Sequence, residues 1–172
     1  PGRIPNPLAL NLYTLGYDNI KHLTPLNNAT KTNLATYLEQ YRMLTDAINI
    51  KDAFVINFAL DFEICTFKNL NNEVVLLDCI TELKDYFSID KWQINQPIII
   101  SEIQSLIGSV KGVQTVEKVE LMNKNGSALG YSQYKYDFGT ATRKGVIYPS
   151  LDPSIFELRL PNSDIKGRVT TY

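Results

Sequence analysis

The stretch AFVINFALDFEIC, residues 53–65, decides the fold. Its even positions, Phe54, Ile56, Phe58, Leu60, Phe62 and Ile64, are all large and apolar. The odd positions run Ala53, Val55, Asn57, Ala59, Asp61, Glu63 and Cys65. A strand sends successive side chains to opposite faces, so the pattern predicts a strand over 53–67 with one wholly apolar face and one that turns polar toward its end. Burying a large apolar side chain is worth about 1.5–3 kcal/mol, so the apolar face requires a covering layer.

Helical periods lie on both sides of this strand. Leu34, Tyr37, Leu38, Tyr41, Leu44 and Ile48 recur at three- and four-residue intervals, which predicts an amphipathic cover helix over 32–48 with Thr30 or Thr32 as its N-cap. A second helix is expected over 73–87, where Leu76, Ile80, Leu83 and Phe87 form a stripe widened by Val75, Cys79 and Tyr86. Ser101 and Gln104 have the spacing of a capping box ahead of a third, short helix carrying Ile103, Leu106, Ile107 and Val110, closed by Gly112. Residues 113–122 read as a strand. There Val113, Thr115, Val119 and Leu121 share one phase while Val116 and Met122 take the other, so either both faces are partly covered or a bulge shifts the phase. Trp92, in the connector before Pro97, is expected to be a hydrophobic anchor.

The resulting fold class is α+β. A two-layer α/β domain spans 30–123, with the 53–67 strand paired to the 113–122 strand and helices on one face of a small mixed sheet. Residues 1–29, with Pro1, Pro5, Pro7 and Pro25, read as a linker or docking arm. Residues 124–172 read as a turn-rich β arm that can be removed without unfolding the rest, with a final strand at 154–160. Tyrosine offers large amphipathic area at little conformational cost and is enriched in protein interfaces. The aromatic residues among the arm's glycines therefore define a candidate interface: Tyr131, Tyr134, Tyr136, Phe138, Ile147, Tyr148 and Phe156. The alternative is that they fold back on their own domain.

At 172 residues the chain is long enough for one domain with a sizeable core. No apolar run approaches the roughly 20 residues of a membrane helix, and PGRIPNPLAL at the start lacks a signal-peptide pattern. The missing initial Met is what a piece of a longer polypeptide would show. A net charge of −1 with scattered basic residues argues against nucleic acid, which demands a basic patch. Cys65 and Cys79 are expected as free thiols of a reducing compartment.

Motifs for chemistry are sparse. His22 is the one histidine, and it lies in the Pro- and Asn-rich leader, a poor base for a nucleophilic triad. Neither CxxC nor HExxH occurs, no glycine-rich phosphate loop follows a strand, and no metal or cofactor is expected. Asp61 and Glu63 share a strand face and are the one carboxylate pair that acid–base hydrolysis of a carbohydrate or cell-wall polymer would use. Solvated or ion-paired positions are the plainer account.

Seven strings occur in an order that resembles one family: YLEQYRMLTDA (37–47), DFEI (61–64), WQINQPI (92–98), VKGVQTV (110–116), IYPS (147–150), DPSIFE (152–157) and DIKGR (164–168). The chain resembles the C-terminal part of the baseplate wedge proteins of T4-like contractile-tailed phages, relatives of the baseplate J-like proteins. The resemblance implies a non-enzymatic virion protein of the tail baseplate, assembled in the host bacterial cytoplasm. It implies paired copies that build an inner ring and contact neighbouring wedge proteins and the sheath-initiating component, with no membrane or nucleic-acid partner. It carries over no catalytic residue.

Overall fold

A computed structural model describes residues 9–41 and 47–170, and the chain divides into two compact units, Pro1–Ala53 and Phe54–Tyr172. In the first unit β1 (Ala9–Thr14) runs parallel to β4 (Ala47–Asp52), in register from Ala9 with Ala47 to Thr14 with Asp52. Between them lie a small hairpin, β2 (Gly16–Tyr17) and β3 (Leu23–Thr24), and the helix α1 (Asn28–Glu39). The hairpin turn is held by Asp18, whose carboxylate accepts from the N–H groups of Ile20 and His22.

Four expectations change here. The helix begins earlier than 32–48 predicts, because Asn27 rather than Thr30 or Thr32 caps it, accepting from the Thr30 N–H. Ile48 belongs to β4, where Ile48 and Ile50 alternate with polar neighbours, while 42–46 lie outside the described residues. No residue of α1 is buried, so it is not a cover helix. From Ala9 onward the leader is not a linker, since it forms β1 and the hairpin; residues 1–8 lie outside the described part.

The second unit is organised on β5 (Phe54–Thr66). It is followed by α2 (Asn72–Tyr86), β6 (Ile98–Ile99), α3 (Ile100–Ser109), β7 (Val113–Lys124), α4 (Phe138–Ala141), β8 (Thr142–Arg143), β9 (Val146–Ile147), β10 (Ser154–Glu157), α5 (Pro161–Asp164) and β11 (Ile165–Thr170). As expected, β7 pairs antiparallel with β5. The phase change read in its sequence is a bulge: the register shifts between Glu63 and Ile64, and again between Cys65 and Thr66. Along the other edge of β5 run β10 and β11, both parallel to it, β10 beside Phe54–Asn57 and β11 beside Leu60–Cys65.

That pairing overturns the separable arm. Residues 124–172 contribute two of the four strands of the central sheet, so a division at 123/124 cuts through one core. The 154–160 strand is real but ends at Glu157, and β11 was not anticipated.

Ile56, Phe58, Leu60, Phe62 and Ile64 are each at most 1% exposed. Their cover is α2, through Val75, Cys79 and Leu83, and α3, through Ile103 and Ile107. The Phe87 ring meets Phe58 edge-on at 5.0 Å and stacks on Trp92 at 5.5 Å, so Trp92 is the anchor its sequence suggested. The Trp92 indole also donates to the Tyr86 carbonyl. The capping box does not form: α3 starts at Ile100 after Ile99, without a side-chain cap. The odd side of β5 turns polar toward its end as expected: Val55, Asn57 and Ala59 are buried, whereas Asp61 and Glu63 are partly exposed.

Gly167 lies opposite Phe62 in β11, directly beneath α2. A Cβ there would sit 2.5 Å from both Leu76 Cδ1 and Phe62 Cζ. The buried Phe62 ring has nowhere to go, so Gly167→Ala should lower stability by about 1–3 kcal/mol in urea unfolding. An unchanged midpoint would show that α2 does not press on β11. The two free cysteines are buried, Cys79 among the groups under α2 and Cys65 donating to Glu117. Burial, with Asp78 beside it, pushes the Cys79 thiol up from 9.0 to about 11. Thiol reagent at pH 8 should leave Cys79 unlabelled in the native protein and label it in urea; rapid native labelling would contradict this packing.

Candidate functional site

A groove of about 880 Å³ is lined by Pro97, Tyr134, Tyr136, Arg143, Tyr148 and Leu151, with Asn95 and Asp152 among its polar margins. Its walls are set by short pairings. β9 lies between β6 and β8, which fixes Ile147 and delivers Tyr148 and Pro149 to the surface. Asn95, held at φ +64°, donates its N–H to the Ser154 carbonyl and accepts from the Ser154 N–H, tying the connector before Pro97 to the start of β10. The 149–153 turn is closed by Ser150, whose N–H donates to Ser154 Oγ and whose hydroxyl donates to the Asp152 carbonyl. Leu151, at its tip, is fully exposed.

The aromatic rings of the groove are braced from behind. Tyr134 stacks on Phe54 at 4.8 Å and on Tyr136 at 6.4 Å. Tyr136 meets Phe138 and Phe156 edge-on, and its hydroxyl donates to the Tyr148 carbonyl at 2.5 Å. Burial, then the neighbouring Tyr134, raises the Tyr136 phenol above its ordinary range, so it stays a neutral donor.

A polar cluster on β5 anchors the segment that carries these rings. Asn57, fully buried, donates to the Glu157 carboxylate at 2.7 Å and accepts from the Ser132 N–H at 2.7 Å. Ser132 Oγ donates to the Val55 carbonyl, and Asn123 donates to the Asn57 carbonyl while accepting from the Tyr136 N–H. Glu157 is itself buried and faces Arg159 at 3.6 Å. One strand residue thus ties two loop positions and a neighbouring strand.

Of the seven predicted interface residues, the structure brings Tyr134, Tyr136 and Tyr148 together in the groove. Tyr131 does not line it; its hydroxyl donates to the buried Asp164 at 2.6 Å, and burial with that carboxylate pushes the phenol up to about 12. Phe138, Ile147 and Phe156 are 7%, 2% and 1% exposed, so they are core and offer no surface. They fold back because β9 and β10 are paired strands, the alternative that the sequence left open. Leu151, Pro97 and Arg143 were missed. The lone Leu between the turn formers of PSLDP (149–153) was the available signal for the first.

Asp61 and Glu63 sit in a ladder of charge across three strands. Asp61 lies between Glu120 and Lys166, and Glu63 between Lys118 and Arg168, with Arg168 3.8 Å from Glu63. Glu63 is thus ion-paired with Arg168, and Asp61 faces one acidic and one basic neighbour across the sheet. His22 Nδ1 is 3.6 Å from Asp18 in the hairpin turn. Among the described residues no group of three or more His, Cys, Asp and Glu is placed to hold a metal ion.

Asn57→Ala should orphan the Ser132 N–H, at about 1–3 kcal/mol, and remove one donor from the Glu157 carboxylate. Amide exchange at Ser132 should accelerate with it. Exchange unchanged at that amide would mean that the groove wall does not depend on this anchor.

No family model matches the chain, and no curated protein sequence matches it.

Proposed function

We propose that this chain is a structural, non-enzymatic subunit of a contractile-tail baseplate, of the wedge type its ordered strings resemble, and that the aromatic groove receives a neighbouring copy in the ring. The observation that carries the reading is the groove itself, with Tyr148 half-exposed and Leu151 fully exposed on braced turns. Rings and turns that are already fixed lose little freedom on association, which is the usual cost of burying a loop surface. The strings WQINQPI, IYPS and DPSIFE, which contribute to the resemblance, supply Asn95, Pro97, Tyr148, Pro149, Ser150 and Asp152 of its lining. On this reading the protein belongs to the virion, assembles in the bacterial cytoplasm, and also contacts other wedge proteins and the sheath-initiating component. It uses no cofactor, nucleic acid or membrane.

Sedimentation velocity over a wide concentration range tests this. The wild-type chain should show reversible self-association, and Leu151→Asp and Tyr148→Ala should weaken it by about tenfold or more with unchanged unfolding midpoints. A strict monomer at every concentration would overturn the self-association, and association indifferent to both substitutions would remove the groove from it.

A further inference from the structure

The lining of the aromatic groove holds two charged residues, Arg143 and Asp152, of opposite sign. Both are exposed, and neither forms an ion pair among the described residues. They stand on different segments. Arg143 is the last residue of β8 and is followed by the exposed Lys144 in the turn to β9, whereas Asp152 follows Leu151 in the 149–153 turn. The nearby Lys135 and Asp137, which alternate with the groove tyrosines, line a separate depression, and Asp137 caps α4. One side of the groove is therefore basic and the other acidic.

Leu151 is fully exposed at the tip of a turn that Ser150 closes with two hydrogen bonds, so it packs on none of the tyrosine rings of its own groove. A single exposed leucine needs no explanation; this one stands at the rim of a groove with room for a turn. The groove's 880 Å³ falls within the range of about 300–1,000 Å³ that encloses a compact ligand. Knob and groove share one patch. A surface that carries both halves of its own complement closes on a second copy by a two-fold axis, residue i meeting j while j meets i; had the two halves lain on opposite sides, the contact would run head to tail and stay open-ended. Two-fold exchange lays Leu151 of each copy on the Tyr148 ring of the other. It also brings Asp152 to the Arg143 and Lys144 side of the other copy, so each charge left alone in one chain gains a partner of opposite sign, twice per pair.

We propose that the groove takes the 149–153 turn of a second copy in a reciprocal, two-fold exchange, with Leu151 seated in the opposite groove and Asp152 paired with Arg143. This rests on the reading that copies meet at the groove, and adds which segment enters it and with what symmetry.

Sedimentation velocity on the full chain with charge-reversed variants tests the exchange. Arg143→Glu alone, or Asp152→Arg alone, sets like charges together at both ends of the contact and should weaken self-association at least about tenfold. An equal mixture of the two variants matches reversed charge with reversed charge and native with native, so association should return to within about threefold of wild type. Arg143→Glu mixed with Asp78→Arg, a reversal on α2, should not recover, which separates pairing from net charge. The largest species should be a dimer, and unfolding midpoints should hold because both side chains are exposed. Single variants that associate as wild type, a mixture that fails to recover, or growth beyond the dimer would each overturn the exchange, while sensitivity to Tyr148→Ala would still keep the groove as the contact. A wild-type chain that stays monomeric would overturn both.

Discussion

Everything in the larger unit depends on β5 being hydrogen-bonded along both edges. One edge is a single long antiparallel partner, β7; the other is shared by β10 and β11, two short parallel strands that follow each other along the same side. A strand paired on both edges and buried on its even face has no freedom of register, because a slip of one residue would drive Phe58 and Phe62 to the wrong side. All its partners lie C-terminal to the cover helices, β7 directly after α3 and β10 and β11 much further on. The helix α2, which packs over β11, therefore gains its full burial only once residues about a hundred positions along the chain have paired with β5.

The break between β10 and β11 carries its own support. The chain leaves the edge after Glu157, makes the single turn of α5 with Pro161 at its start, and rejoins the same edge at Ile165. A buried carboxylate makes the detour tolerable: Asp164 accepts from the Leu160 N–H and the Tyr131 hydroxyl. Seven residues before it, at the end of β10, Glu157 takes the Asn57 amide. Both buried acids therefore face donors on other segments, the condition under which a buried carboxylate is stabilising rather than costly. The 124–141 segment is pinned at Tyr131 by one acid and, through Asn57, at Ser132 by the other.

Legibility in the sequence followed the range of the interactions. The alternation of β5, the stripe of α2, the apolar side of α3 and the bulge in β7 were readable because each is encoded within a dozen residues. The first helix was misplaced because Ile48 continues its period by coincidence, while the deciding groups, the Asn27 side chain and the parallel pairing of β4 with β1, lie outside the window. The arm was misread for the opposite reason. SIFE and IKGRVT are too short to announce strands alone, and they are strands because β5 presents an open edge. Of the site, the tyrosines were visible by composition. That Phe138, Ile147 and Phe156 are core and Tyr134, Tyr136 and Tyr148 are surface depends on β9 and β10 being paired, which no local pattern states.

The same sheet explains why the exposed features are rigid. The groove turn is bonded to the first residue of β10, and the rings behind it rest on Phe54 and Phe156, which belong to paired strands. The outer side of α2 is held for a different reason: its inner side buries Val75, Cys79 and Leu83, with Leu76 over Gly167 and Val75 over Gly112. An apolar group on a mobile loop spends much of its binding energy on being ordered, whereas one mounted on a locked element does not. Leu77 and Leu151 are thus exposed on elements whose order is already secured by the core. The chain thus keeps large apolar groups in water at positions where the fold holds them still, which lowers the ordering cost that association through them would carry.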